Sequence, residues 1–337
     1  MDHQKRALQL GAAAIAFALF LRLLGSAVTI ARGIFQDPQV LSFAVFLQTG
    51  RVVRYPQAAT TAPTEPPAPS EPEQEVITTL PPPPVRPVFN PEDLDTLSLI
   101  YGCDYRPDLE TLLLSSLDWD LCDGEPAVLI VHTHGTEAYT PTADTSYTPS
   151  GDYRTLDENY NMISIGDEVA RILEAGGISV LHDRSCHDHP SYNGSYTSAR
   201  KAIAQYLEEY PSIRMVLDIH RDAVTTDSGQ QLSTSATVGG QESSQIMLVI
   251  GTDEAGNHHP NWQTNLALAL KLTAQLEREN PGITRPIYLR SQRFNMDMTA
   301  GSLLVEVGAS GDTHEQAIIA ANALANAILA LAKGTSQ

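Results

Sequence analysis

Histidines and carboxylates collect at the ends of apolar runs in this sequence. "VLIVHTHGTEAY" (128–139) carries four apolar residues into His132 and His134, with Glu137 three residues further on. "IRMVLDIHRD" (213–222) brings a second run to His220, and "SLLVEVG" (302–308) brings a third to Glu306. Imidazole nitrogen and carboxylate oxygen are donors that zinc accepts, and a catalytic zinc site keeps one position open for water. Zinc lowers the pKa of water in that position to about 7. A glutamate held rigidly nearby, as Glu306 is by its apolar strand, can take the proton and later deliver it to a leaving amine.

A loop rich in turn formers, "HDRSCHDHPSYNGSY" (182–196), adds His182, His187, Asp188 and His189. His187 and Asp188 are candidates to complete the metal shell or to bind substrate. Two bland readings compete. Buried histidines are most often satisfied core residues, and metal-free hydrolases also place His and Glu at strand ends. Ser191 and Ser195 in "SYNGSY" are possible nucleophiles, but neither sits in a G-x-S-x-G elbow.

The elements that must position these groups follow from periodicity. Strands are expected at 128–131, 178–183, 213–220, 244–251 and 302–308. Between and after them lie helical patterns. Residues 161–177 carry Ile165, Val169, Ile172 and Leu173 at helical spacing and stop at Gly176 or Gly177. Further helices are expected at 195–211, 261–280 and 314–334. Pro91 opens a shorter one over "PEDLDTLSLIYG" (91–102). This alternation predicts an α/β fold, a mostly parallel sheet with helices on both faces. In such sheets ligands sit beyond the carboxyl ends of the strands, where His132, His134, His220 and Glu306 lie. No G-x-G-x-x-G or P-loop interrupts the pattern.

The formal net charge of −19 excludes nucleic-acid binding by a basic face. The charge is uneven. Residues 1–54 hold six basic and two acidic side chains, leaving 15 basic and 38 acidic in the remainder. Arg221, Arg200 and Arg154 lie near the motifs, and they are expected to hold acidic substrate groups locally. Three cysteines at irregular spacing give neither a disulfide framework nor a thiolate zinc site.

The front of the chain reads as a membrane address. Lys5 and Arg6 precede an apolar stretch that reaches spanning length over 10–31 if Arg22 is tolerated. Basic residues ahead of the span leave the N-terminus in the cytoplasm. A cleaved signal with small residues at 25–27 is the alternative, and it exports the body equally. Residues 56–91 contain 12 of the 22 prolines, a composition that makes a semi-rigid spacer. Three parts result: an anchor at 1–35, a juxtamembrane segment and Pro-rich linker at 36–91, and a catalytic domain at 92–337.

In order and wording, "VLIVHTHGTEAY", "YRTLDENYN", "HDHPSYNGSYTSAR", "DIHRDA" and "LLVEVGA" resemble the stage II sporulation protein P family. The resemblance implies a membrane-anchored N-acetylmuramoyl-L-alanine amidase that cuts peptidoglycan during engulfment, with an additional endopeptidase activity on cross-links. It implies the mother-cell membrane, with the domain facing the intermembrane space. It also implies partnership with a lytic transglycosylase, stage II protein D, and a membrane scaffold, stage II protein M. The implied fold is similar to zinc-dependent cell-wall amidases. By that likeness His220 is a zinc ligand and Glu306 the general base. The first ligand falls in "HTHG", at His134 by likeness to the amidase His-Gly step, with His132 open. The middle ligand is open among Glu137, Asp157, Glu158, His187 and Asp188. Two rivals stand beside this reading: an inactive amidase-fold module that recruits another wall enzyme, and a metal-free hydrolase.

Overall fold

The computed structural model describes residues 87–332, apart from 118, 119 and 123. The expected anchor and nearly all of the Pro-rich linker, residues 1–86, lie outside the described residues.

Where one helix was expected over 91–102, a short 3-10 helix, Pro91–Thr96, opens the described chain and gives way to β1 (Leu99–Gly102), drawn into the sheet by pairing with Ile287–Arg290; α1 (Leu109–Leu114) follows. β2 (Pro126–Val131) leads into a small hairpin of β3 (Pro149–Gly151) and β4 (Arg154–Thr155). Then come α2 (Met162–Ala175), β5 (Ser179–His182), α3 (Ser195–Glu209) and β6 (Met215–Asp222). A second hairpin, β7 (Ser235–Val238) and β8 (Gln241–Ser244), precedes β9 (Ile246–Gly251), α4 (Trp262–Glu279) and β10 (Ile287–Arg290). β11 (Ser302–Ala309) and α5 (His314–Ala332) complete it.

Local chemistry sets the helix that matters most to the site. Asn161 caps α2 by accepting a hydrogen bond from the Ile163 amide at 2.9 Å. Ile165, Val169 and Leu173 repeat every four residues and are buried. Gly177, at φ 91°, turns the chain out of the helix.

Seven strands pair in the order β1-β10-β9-β11-β6-β2-β5. Five of the six pairings are parallel, as expected. The exception is β9 against β11, which is antiparallel. That junction reverses strand polarity. β2, β5, β6 and β11 end at one rim of the sheet, and β1, β9 and β10 end at the other.

Strand alternation divides the core into two layers. Ile130, Leu217, Ile219 and Val305 pack with α2 and α5, through Ile165, Val169, Leu324 and Ile328. Leu129, Val131 and Val216 pack on the other side with Ile203 of α3. Helices therefore cover both faces. Each fully buried aliphatic side chain contributes about 1.5–3 kcal/mol by leaving water. Among the described residues, α5 alone is long and apolar enough to span a membrane. Ala317, Ala320, Ala321, Leu324 and Ile328 are buried within the fold, so it is a core helix here.

Candidate active site

β6 and β11 run parallel and in register, with Asp218 beside Leu304 and His220 beside Glu306. Residues paired this way share a face. Asp218, His220 and Glu306 therefore continue the α3 side of the sheet beyond its apolar layer, toward the shared carboxyl rim. His220 is buried and Glu306 half-buried.

The chain leaving β2 turns sharply over 133–136, closed by the Glu137 amide donating to the His134 carbonyl at 3.1 Å. Two carboxylates pin this turn. Asp218 accepts from the Thr133 amide at 2.8 Å and its hydroxyl at 2.6 Å. Asp188 accepts from the Thr136 amide at 3.2 Å and its hydroxyl at 2.6 Å. Gly135 lies close against the 185–186 backbone: a Cβ there would be 3.1 Å from the Cys186 Cα, so a larger residue would push that segment aside by a few tenths of an ångström.

The turn delivers His134 and Glu137 to His220. The His134 and His220 rings meet edge to face, with centroids 5.3 Å apart. Glu137 Oε2 lies 3.5 Å from His220 Nδ1. Glu137 Oε1 accepts from Arg154 at 3.2 Å, and the Arg221 amide donates to Oε2 at 3.3 Å. Burial alone would raise the Glu137 pKa, but Arg221 and His220 outweigh it and hold the carboxyl at about 2. Burial alone would lower His220, yet Asp218 and Glu137 reverse the sign and raise it. Burial pushes His134 down to about 4, so its imidazole is neutral at physiological pH.

His134 Nδ1 is buried and takes no hydrogen bond among the described residues. Asp218 Oδ1 pairs with His220 Nε2 at 2.9 Å. Two neutralisable imidazoles, one with an orphaned nitrogen, beside one ionised carboxylate are a donor set that suits zinc. Among the described residues, no three His, Cys, Asp or Glu side chains already stand at metal-ligand spacing.

Residues 65–329 match the family of stage II sporulation protein P (SpoIIP). The chain belongs to the SpoIIP family. Stage II sporulation protein P of Bacillus subtilis (strain 168) is 26% identical over 210 residues, covering 59% of this chain and 49% of that protein. The chain thus spans about half the length of the curated relative it matches. Among solved structures, it is similar to the CwlD amidase of Clostridioides difficile, solved in complex with the GerS lipoprotein. That likeness is 14% identical, covers 60% of this chain and 96% of the other, and has a TM-score of 0.39. The N-acetylmuramoyl-L-alanine amidase AmiC2 of Nostoc punctiforme is similar at 15% identity, 60% and 95% coverage, and a TM-score of 0.35.

This SpoIIP-family domain separates residues that are neighbours in sequence. His132 follows Ile130 onto the α2 side of the sheet, away from His220. Its Nδ1 lies 3.0 Å from the Ile219 carbonyl and its Nε2 lies 2.8 Å from His182 Nε2. Both ring nitrogens are engaged there, so the metal role held open for His132 is not one its position offers. Burial first, and then His182, push its pKa down to about 3.

The residues expected to hold substrate have internal partners instead. Arg221 donates to the Ala138 carbonyl at 2.9 Å and the Tyr153 carbonyl at 2.8 Å, and braces Glu137. Arg200 grips Asp297 through two bonds of 2.7 and 2.8 Å. His187 joins Asp183 at 2.9 Å to Ser198 at 3.0 Å. Asp188 holds the turn and Arg154. Of the residues open as middle ligand, Glu137 stands beside His220; Glu158 pairs with Arg184 and Asp157 with Asn159.

Residues unassigned in the sequence reading also line the site. Asp218 braces both the turn and His220. Tyr192 lies flat on His134, with centroids 4.5 Å apart and planes 6° apart, and is 57% exposed. Tyr196 meets His134 edge-on at 5.6 Å. Their sequence signal is the aromatic repeat in "SYNGSY".

Proposed function

We propose that this chain hydrolyses the amide between N-acetylmuramic acid and L-alanine in peptidoglycan, during engulfment in sporulation. The observation that carries the reading is Glu306 standing in register beside His220 while the turn brings His134 and Glu137 to the same place. Family membership supports the sporulation setting.

His134, Glu137 and His220 would hold zinc. When bound, zinc supplies Lewis-acid polarisation of the amide carbonyl and makes water acidic enough to attack near neutral pH. Glu306 accepts the proton of the attacking water. It then returns that proton to the alanine nitrogen as the C–N bond breaks. Arg221 and Arg154 keep Glu137 ionised and in place, and Asp218 restrains His220.

The basic front and apolar run over 10–31 support a single membrane anchor with the domain outside the cytoplasm. We place cross-link cleavage, and association with stage II proteins D and M, within the same proposal. They rest on the family resemblance.

The deciding experiment is digestion of purified sacculi by the full chain, with the products identified by mass spectrometry. Stem peptides with a free L-alanine amine, and glycan stripped of peptide, are expected. Intact sacculi, or products cut only at glycosidic bonds, would overturn the reading.

A further inference from the structure

The segment joining β10 to β11, "SQRFNMDMTAG" (291–301), has a backbone that needs an explanation. Phe294 at φ 49° and Asn295 at φ 60° both sit in the left-handed region. Asparagine tolerates that region, but a bulky phenylalanine there is an outlier. Two such residues in a row persist only where their surroundings over-determine them, and such places concentrate at functional sites.

What holds this corner converges on the first turns of α3. The Asn295 side chain donates to the Tyr196 carbonyl at 2.8 Å. The Phe294 ring rests against the Tyr196 ring, with centroids 5.8 Å apart. Asp297 takes the two bonds from Arg200, one helical turn beyond Tyr196. Asn265 of α4 ties down the Met296 carbonyl at 2.9 Å. The strained backbone thus fixes the position of one tyrosine.

That tyrosine faces the chemistry. Its ring stands edge-on to His134. Its hydroxyl lies in the field of three carboxylates of the site, Asp218, Glu306 and Glu137. It is a neutral donor among acceptors and imidazoles, on a half-buried residue. A tyrosine ordinarily keeps its proton to about pH 10.

We propose that Tyr196 is a further catalytic residue, whose hydroxyl donates a hydrogen bond to the carbonyl oxygen of the scissile amide. The bond strengthens as that oxygen gains negative charge, so it favours the transition state over the bound substrate. Phe294 and Asn295 are positioning residues that act through Tyr196. The inference rests on the amide-hydrolysis reading above.

The test is Tyr196→Phe in the full chain, which removes one oxygen and keeps the ring against His134 and Phe294. With a muropeptide of defined structure, kcat should fall about 10²- to 10³-fold. KM should stay within about threefold, and zinc content and melting temperature should match the wild type. Affinity for a phosphinate that mimics the tetrahedral oxyanion should fall by a factor similar to the fall in kcat, while affinity for an uncleavable substrate analogue stays level. A Tyr196→Phe variant with wild-type kcat, beside an active wild type, would overturn the role of Tyr196 and leave the amidase reading standing. If the wild-type chain itself releases no stem peptide, the amidase reading falls and this inference falls with it.

Discussion

Glu306 on β11 and His220 on β6 are direct neighbours in a parallel pairing, so the sheet itself sets the separation of their side chains. A strand is a stiffer mount than a loop, and a proton carrier benefits from that stiffness. Glu306→Gln keeps the shape and removes the basicity. Release of stem peptides should fall about 10²- to 10⁴-fold, with zinc content and urea midpoint unchanged. Wild-type digestion of sacculi by this variant would remove Glu306 from the mechanism.

The two histidines of "HTHG" should part company on mutation. His134→Ala removes an imidazole with a free buried nitrogen. It should abolish stoichiometric zinc, read by metal analysis of the purified protein, with a modest loss of stability. His132→Ala breaks the contacts with Ile219 and His182 in a fully buried place. It should cost about 2–4 kcal/mol in urea unfolding and leave zinc binding intact. The reverse pattern would exchange their roles.

Gly166 tests how tightly the buried histidine pair is packed. Helix propensity alone says that alanine in the middle of α2 should stabilise by up to about 1 kcal/mol. A Cβ at Gly166, however, would lie 2.6 Å from both His132 Nε2 and His182 Nε2. Overpacking of that kind costs about 1–3 kcal/mol. Gly166→Ala should therefore lower the melting temperature, and an increase would show that the pair yields easily.

Lys271 gives the fold a pH dependence of predictable sign. Its ammonium lies between α1 and α4, 3.4 Å from the Leu112 carbonyl and over the Phe89 ring. Burial pushes its pKa down to about 8, against about 10.4 for an ordinary lysine. Between those values the unfolded chain holds more protons, so stability rises with pH, by up to about 3 kcal/mol. Below about pH 8 both states are charged and the burial cost stands in full. Lys271→Met should flatten this rise in urea titrations between pH 7.5 and 10. Parallel profiles for the two proteins would count against it.

Much of this architecture was legible because its signals are local. The run of Val, Leu and Ile before His132, and the four-residue repeat through Ile165, Val169 and Leu173, each report one element. The expected helices at 161–177, 195–211 and 261–280 form within a few residues of those bounds. β1, expected as helix, β10 and the reversed direction of β9 were not legible, because strand pairing and direction are set by partners far along the chain. Alternation also explains Arg221. A residue next to a strand-borne histidine turns to the opposite side, and here it serves Glu137 from there. Asp218, two residues from His220, shares its face for the same reason. The role of Tyr196 is not legible locally, because its placement depends on Phe294 and Asn295, nearly a hundred positions downstream.

The reversal of strand direction between β9 and β11 divides the labour of the sheet's two rims. Only β2, β5, β6 and β11 present their carboxyl ends on the rim of His134, His220 and Glu306. The opposite rim carries Ile213, Arg214 and Gly301, which help to line a separate cavity of about 490 Å³. Loops there other than 291–301, whose Phe294 and Asn295 hold Tyr196, can lengthen, shorten or change composition without moving a reacting group. Sequence drift among relatives should accordingly be fastest along that rim, and insertions that leave hydrolysis intact should be found there.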